Sequence, residues 1–355
     1  MTSRREAMFS GAEPPLEHLA LDLDRLVPFL AARLDGLEGP VVALKFKGGQ
    51  SNPTYRLGGP GKSYVLRRRP PGTLVVSAHA IDREYRVLSA LAAAGLPVPT
   101  PRLYCNDAEL IGFEFYVVDF VPGRVFWDAE LPGLEPAART ALYDDMNAVL
   151  AKLHALDADA LGLGDLAPRE NYATRNLARW SQIYQRSAMI DIPDMDWLID
   201  TLPALLPADA PARLIHGDYG LYNIIAAPDA RLVSAVLDWE MATLGDPLID
   251  LAHHLRAWWD LPDPEGGAAT SLRGHDLPAL GIPAMNEYIA LYAARRGIPV
   301  PDLRIYLAYA QFRYGAMIQG ILKRAADGTA ASRTVLHRQE RVVEIARLAR
   351  TTLEA

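Results

Sequence analysis

Cysteine is almost absent: Cys105 is the only one in 355 residues. A single thiol excludes an internal disulfide and a cysteine-rich zinc site. No apolar run reaches the ~18 residues of a membrane-crossing helix, and Met1–Pro15 carries charges but no apolar signal core. Positive charge is not in surplus either. Lys and Arg number 36 against 43 Asp and Glu, for a net charge of −7, so neither nucleic acid nor a membrane surface is an expected partner. No internal repeat or low-complexity tract interrupts the chain. What remains is 50% hydrophobic and 22% charged, the balance of a soluble globular enzyme with length for one large bilobal domain. A reducing cytoplasm is the expected compartment.

Two stretches organise the rest. Residues 214–225 read Leu-Ile-His-Gly-Asp-Tyr-Gly-Leu-Tyr-Asn-Ile-Ile, and residues 236–240 read Val-Leu-Asp-Trp-Glu. Each is an apolar run, read as a buried strand, broken by polar groups that a core excludes. Asp218 and Asn223 stand five residues apart across a turn holding Gly217 and Gly220, and Asp238 ends the second run. Phosphoryl transfer needs a carboxylate to orient the attacking hydroxyl and two further oxygens to hold Mg²⁺ against the triphosphate. The Asp-x-x-x-x-Asn spacing matches the kinase catalytic loop, with His216-Gly217-Asp218 in place of His-Arg-Asp and Asp238-Trp239-Glu240 in place of Asp-Phe-Gly.

That variant resembles the aminoglycoside phosphotransferase and choline-kinase-like family of small-molecule kinases. Within it, the chain is similar to the kinase-like domains linked to acyl-CoA dehydrogenases. The resemblance implies an α+β, bilobal protein-kinase-like fold. The expected N-lobe, residues 1–122, is a small antiparallel sheet with a helix. The expected C-lobe, residues 123–355, is mainly helical.

Local patterns agree. Val41–Lys47, Thr54–Leu57 and Ser63–Arg67 read as strands separated by glycine-containing turns. The turn Gly48-Gly-Gln-Ser-Asn-Pro-Thr-Tyr55 stands where kinases place a phosphate-binding loop, with Ser51, Asn52 and Thr54 as side-chain donors. Val65 and Arg67 share one strand face. The resemblance puts Val65 over adenine and Arg67 on the phosphates, where kinases usually carry Lys. Arg68 and Arg69 are expected at the surface. Ser77–Ala94 reads as a helix capped by Ser77, whose Glu84 is the expected partner of Arg67. Phe115–Gly123 is a buried strand running into a Pro-Gly break, and its main chain at Asp119 and Val121 is the expected adenine contact.

Beyond Gly123 helical spacing dominates: Pro136–Leu156, Tyr172–Met189, then Pro283–Arg296, Leu303–Arg324 and Ser332–Thr352. His154 is read as structural. Arg175, Arg179 and Arg186 form a basic stripe, either a solvated face or a docking surface for an anionic substrate tail. The resemblance implies that Asp250 braces the catalytic-loop backbone rather than ligating metal, and His253-His254 point different ways on a helix, against a metal pair. Gln311, Arg313, Gln319 and Arg324 either line an acceptor cleft or pack in the core. Only about eight residues separate Asp238 from the next helix, too few for the activation segment with which a protein kinase clamps a peptide.

The expected reaction is ATP-dependent transfer to a small-molecule hydroxyl, with GTP still open as donor, Asp218 catalytic, and Asn223 and Asp238 on one or two Mg²⁺. The resemblance implies a hydroxyacyl-CoA or hydroxy acid as acceptor. Aminoglycosides and amino alcohols remain alternatives, as does a catalytically silent nucleotide-binding regulator. Nothing in the pattern reports oligomeric state.

Overall fold

The computed structural model describes residues 4–37, 39–47, 52–70, 81–207, 210–262, 271–328 and 338–355. They form two compact units. One takes Met1–Phe126 with Asn223–Asp229 and Val233–Met241; the other takes Trp127–Tyr222, Ala230–Leu232 and Ala242–Ala355. Among the described residues no helix is long and apolar enough to cross a membrane.

The first unit is an antiparallel sheet with helices on both faces, and it also carries the short helices α1 (Arg4–Phe9) and α4 (Ala108–Ile111). Its strands are β1 (Ala12–Glu13), β2 (Val42–Phe46), β3 (Thr54–Gly58), β4 (Tyr64–Arg68), β5 (Pro101–Cys105) and β6 (Phe115–Asp119), in the order β1-β2-β3-β4-β6-β5. Alternation decides which side chain meets which layer. Tyr55, Leu57, Tyr64, Leu66, Phe115 and Val117 turn to one face and pack on Leu26 and Leu30 of α2 (Leu23–Ala31). Asp22 caps that helix by accepting the Arg25 N–H at 3.2 Å. The opposite face meets α3 (Ile81–Ala93), where Tyr85 stacks on Tyr104. Ser77, the expected cap of α3, lies outside the described residues. β7 (Arg124–Val125) pairs with β9 (Ile224–Ala226), and β9 with β10 (Val233–Val236).

Arg68 corrects the surface expectation. The two-residue period sends it to the α2 face, fully buried, where Nε donates to Tyr55 Oη at 3.2 Å and the guanidinium lies 4.1 Å from the Phe113 ring centre. Aromatic partners remote in sequence supply what solvent was expected to supply.

The second unit is helical. α5 (Pro136–Ala155), α6 (Tyr172–Ser187), α7 (Pro193–Leu205), α8 (Pro247–His254), α9 (Arg256–Trp259), α11 (Met285–Arg296) and α13 (Gln339–Glu354) surround α12 (Arg304–Ala326), most of whose residues are buried; a short α10 (Leu277–Leu280) precedes α11. The last helix is described from Gln339 rather than Ser332, since residues 329–337 lie outside the described set. One two-stranded ladder, β8 (Arg213–Ile215) with β11 (Thr243–Gly245), holds the loop that carries Asp218 beside α8. The antiparallel sheet followed by helices is the expected α+β class.

Candidate active site

In the first unit, Arg67 gathers three carboxylates. It shares a face of β4 with Val65 and stands opposite Thr54 and Tyr116 in the ladder. Its side chain is 8% exposed, with Nε 3.0 Å from Glu84 Oε2, a bent charge contact rather than an aligned hydrogen bond. Nη2 donates to Asp238 Oδ1 at 2.7 Å and to Glu240 Oε2 at 3.0 Å. Burial pushes the Glu84 carboxyl up; Arg67 opposes it, and the charges of Asp238 and Glu240 add to the rise. Burial alone would lower Arg67, but those carboxylates hold it protonated. Asn52 is buried, donates Nδ2 to Glu240 Oε2 at 3.3 Å, and leaves Oδ1 buried without a partner. Thr54 Oγ1 donates to the Asn52 carbonyl at 3.0 Å. Ser51 lies outside the described residues.

Asn223 and Asp238 sit at the end of the β9–β10 hairpin, where the Leu237 N–H donates to the Asn223 carbonyl at 2.8 Å. Asp238 has a φ of 64°, a left-handed conformation that Asp tolerates better than most residues. Trp239, buried behind it, donates Nε1 to the Val236 carbonyl at 3.0 Å and fixes the turn. An amide and a carboxylate at neighbouring backbone positions offer the hard oxygens that Mg²⁺ prefers. Three carboxyl groups facing one guanidinium leave an excess of negative charge for a cation to balance, although the raised Glu84 carries only part of it. Among the described residues no group of three His, Cys, Asp or Glu forms a metal site. The residues fit the ion.

In the second unit, the loop after β8 presents Asp218 through two supports. Asp250, from α8, accepts the His216 N–H at 2.8 Å on Oδ2 and the Gly217 N–H at 2.9 Å on Oδ1. His154 Nε2 lies 3.2 Å from Asp250, and its Nδ1 2.7 Å from Tyr292 Oη. Gly217 has a φ of 83°, which the arginine of the usual kinase triplet would strain to adopt. Its carbonyl accepts from Arg313 Nη2 at 2.5 Å. Asp218 Oδ1 accepts from Tyr222 Oη at 2.8 Å and lies 2.9 Å from His253 Nε2. A Cβ on Gly220 would stand 2.7 Å from the Tyr222 ring, so glycine there lets Tyr222 fold back onto Asp218.

Burial raises the Asp218 carboxyl. The bonds from His253 and Tyr222 and the charge of Arg313 outweigh it, and the group is held well below the usual carboxylate range. The side chain keeps 32% exposure, which moderates both effects. Burial also lowers His253 and the nearby Arg313 and Arg256 reinforce this against Asp218, so at neutral pH His253 is an uncharged hydrogen-bond donor, not an ion-pair partner. Asp218 is thus ionised and poised to accept a hydrogen bond from a hydroxyl, but weak at removing a proton. That suits a loose phosphoryl-transfer transition state, where orientation outweighs basicity.

The remaining candidates are scattered. The Asp119 N–H donates to Thr100 O at 2.9 Å and its carboxylate pairs with Arg102 and Lys62; Val121 follows β6. Arg175, Arg179 and Arg186 are exposed along α6, and Arg175 donates to Pro168 O at 2.7 Å. Gln319 donates to Ser187 O at 2.8 Å inside the helical unit. A cavity of about 480 Å³ lined by Trp258, Trp259, Leu272 and Leu348 includes none of the expected site residues. Sequence reasoning gave no role to Tyr222, His253 or Glu240. Gly220 two residues before a tyrosine was the available signal for Tyr222. The second acid of Asp-x-Glu was the signal for Glu240.

A model of the phosphotransferase enzyme family matches residues 42–288. Acyl-CoA dehydrogenase family member 10 of Mus musculus is 40% identical over 326 residues, covering 91% of this chain and 30% of that protein. The chain spans less than half the length of the curated relatives it matches first. A crystal structure from Ralstonia eutropha JMP134, named as a candidate aminoglycoside phosphotransferase, is 40% identical with a TM-score of 0.83, covering 94% of this chain and 99% of that one. The choline kinase of Cryptosporidium parvum Iowa II, 11% identical, shares the fold with a TM-score of 0.67 over 94% and 96% of the two chains.

Proposed function

Because the chain belongs to the phosphotransferase enzyme family, we propose that it transfers the γ-phosphoryl group of ATP to a hydroxyl of a small acyl compound, a hydroxyacyl-CoA or hydroxy acid. The observation that carries the reading is Arg67 with Glu84, Asp238 and Glu240 around it. A structural ion pair needs one carboxylate, whereas three around one guanidinium leave room for cation and phosphate.

Arg67, aligned by Glu84, binds and orients the nucleotide phosphates through its fork of donors. Asn52 and Thr54 supply polar groups beside it, with Ser51 assigned the same role, and Val65 packs against the base, whose edge meets the main chain at Asp119 and Val121. Asn223 and Asp238 would hold Mg²⁺, which when bound neutralises phosphate charge. Asp218 accepts the acceptor's O–H and aims its oxygen at the γ-phosphorus. The new O–P bond forms as the bond from that phosphorus to the β,γ-bridging oxygen breaks. ADP leaves, and the hydroxyl proton passes to the product phosphate or solvent. The acyl choice is supported by a relative named for acyl-CoA dehydrogenation, of which this chain matches 30%.

ADP release measured across hydroxyacyl-CoAs, hydroxy acids, amino alcohols and aminoglycosides tests the reading. Turnover is expected with the acyl acceptors and should fall about 10²–10⁴-fold in Asp218→Asn. Near-wild-type turnover in that variant would refute the assignment of Asp218, and an exclusive preference for aminoglycosides would refute the acceptor.

A further inference from the structure

We infer that Arg256 reads the acyl end of the acceptor, its guanidinium donating to a carboxylate or thioester carbonyl oxygen of the hydroxyl-bearing substrate. This rests on the phosphotransferase reading above and assigns that activity a specificity-determining residue.

A guanidinium has five N–H donors, and burying them without acceptors is costly. Arg256 is in that state. Its side chain is 12% exposed, Nε is buried without a partner, and Nη2 stands 3.8 Å from Asp260 Oδ2, beyond hydrogen-bond length. Its flat face is occupied, with the guanidinium carbon 3.6 Å from the Tyr314 ring centre. Stacked this way, a guanidinium offers its donors edgewise, in the plane where two acyl oxygens or one carbonyl can accept.

Arg341 supplies the internal control. It meets the same Asp260, yet it is 2% exposed and donates to Asp260 Oδ1 at 3.0 Å, Leu261 O at 2.7 Å and Glu344 Oε2 at 3.2 Å. Its Nε, like that of Arg256, is buried without a partner, so the two guanidinia differ at their terminal nitrogens, which in Arg341 are bonded. Arg256 is stacked and charged, but among the described residues no acceptor lies within hydrogen-bond length of its donors.

Its place links it to the reacting loop. Arg256 begins α9 three residues after His253, which lies 2.9 Å from Asp218. Tyr314, beneath it, follows Arg313, whose Nη2 reaches the Gly217 carbonyl. Both supports of Arg256 are therefore chain neighbours of groups touching the loop that carries Asp218. Tyr222 and His253 feel its charge. Two buried guanidinia whose charges are felt at one carboxylate disfavour a polycationic acceptor and favour one with electron-rich acyl oxygens.

The test uses the full chain and four probes: 3-hydroxybutyrate, its CoA thioester, butane-1,3-diol, which keeps the hydroxyl but lacks acyl oxygens, and choline. Wild type should favour the acid or the thioester over the diol by about 100-fold in kcat/KM, and the better of the two identifies the source of the acyl oxygen. Arg256→Gln should raise KM for that acceptor by about 30-fold or more, with a smaller change in kcat and unchanged ATP affinity, and Arg256→Lys should recover part of the loss. Butyrate, lacking the hydroxyl, should compete with the acceptor; this needs only wild type and holds the test open if the variants fail to fold. Equal use of the diol, preference for choline, an unmoved KM or no competition by butyrate would each overturn the role of Arg256 while leaving phosphoryl transfer standing. Failure of wild type to bind ATP with Mg²⁺ would overturn the parent reading instead.

Discussion

The helical unit contains two His–Asp pairs with the same chemistry and opposite settings. His154 and Asp250 are both fully buried, and Asp250 spends its oxygens on two backbone N–H groups and one imidazole. His253 and Asp218 stand at the rim, with 32% of the Asp218 side chain exposed. Enclosure separates framework from chemistry. A carboxylate whose acceptor capacity is consumed by backbone can only hold a loop in shape, while one that faces solvent with its charge secured can meet a substrate. Burial raises both carboxyls, and neighbouring donors overcome it in both, bringing Asp250 down to about 2 and Asp218 well below its ordinary range.

The comparison breaks most visibly in stability. Asp250→Ala leaves two buried N–H groups and His154 without their acceptor, a loss on the order of 3–5 kcal/mol. Urea unfolding should show that loss, whereas Asp218→Ala should stay within about 1 kcal/mol of wild type because water can replace what is removed. If both variants unfold alike, or Asp250→Ala keeps wild-type stability, exposure is not what separates the pairs.

Acid should sharpen it next. Burial, followed by the charge of His253, pushes His254 down to about 4, and burial also lowers His253. The unfolded chain then binds protons that the folded chain does not. The stability these histidines contribute is fully present above about 6.5 and is lost as pH falls toward 4, roughly 2 kcal/mol between pH 7 and 5. Asp250 adds a second loss only below about 4, as pH falls toward its folded value. His254→Phe, a ring of similar size for the cage of Tyr219, Trp258 and Tyr288, should flatten the upper limb. The raised Glu84 carboxyl acts in the opposite sense over the same range, so the reading is the difference between the two chains: a His254→Phe variant whose urea midpoint moves with pH as that of wild type does would show that His254 is not held neutral by burial.

What was legible in the sequence followed locality. β2, β3, β4 and β6 and the helices α3, α5, α6, α8, α11, α12 and α13 could be read because side-chain period reports burial directly, whereas β1, β5, β7 and α7 were not. The Arg67–Glu84 contact and the bracing of the loop by Asp250 were legible chiefly through the family resemblance, with a charge beside an apolar helix face as the local sign of each. Arg68 was misread because its partners, Tyr55 and Phe113, are brought to it only by strand pairing. His253 finds its carboxylate 35 positions earlier in the chain, which no periodicity reports. Glu240 went unassigned because the triplet it replaces ends in glycine, a position with no side chain to compare.

The smallest effect belongs to Tyr222. Its hydroxyl donates to Asp218 Oδ1 at 2.8 Å, beside His253, so Tyr222→Phe keeps the ring against Gly220 and removes a donor to that oxygen. Losing a hydrogen bond to a charged, partly exposed group costs about 1–1.5 kcal/mol, or about 5–10-fold in kcat if Asp218 is the group it aligns. KM should hardly change, because Tyr222 acts through Asp218 rather than on the acceptor. The decisive reading is the double variant. On an Asp218→Asn background the tyrosine should lose its effect, since the alignment it provides has no carboxylate to serve. A full and additive loss there would mean that Tyr222 acts on the substrate directly, and the exposed pair would then owe its chemistry to more than the carboxylate.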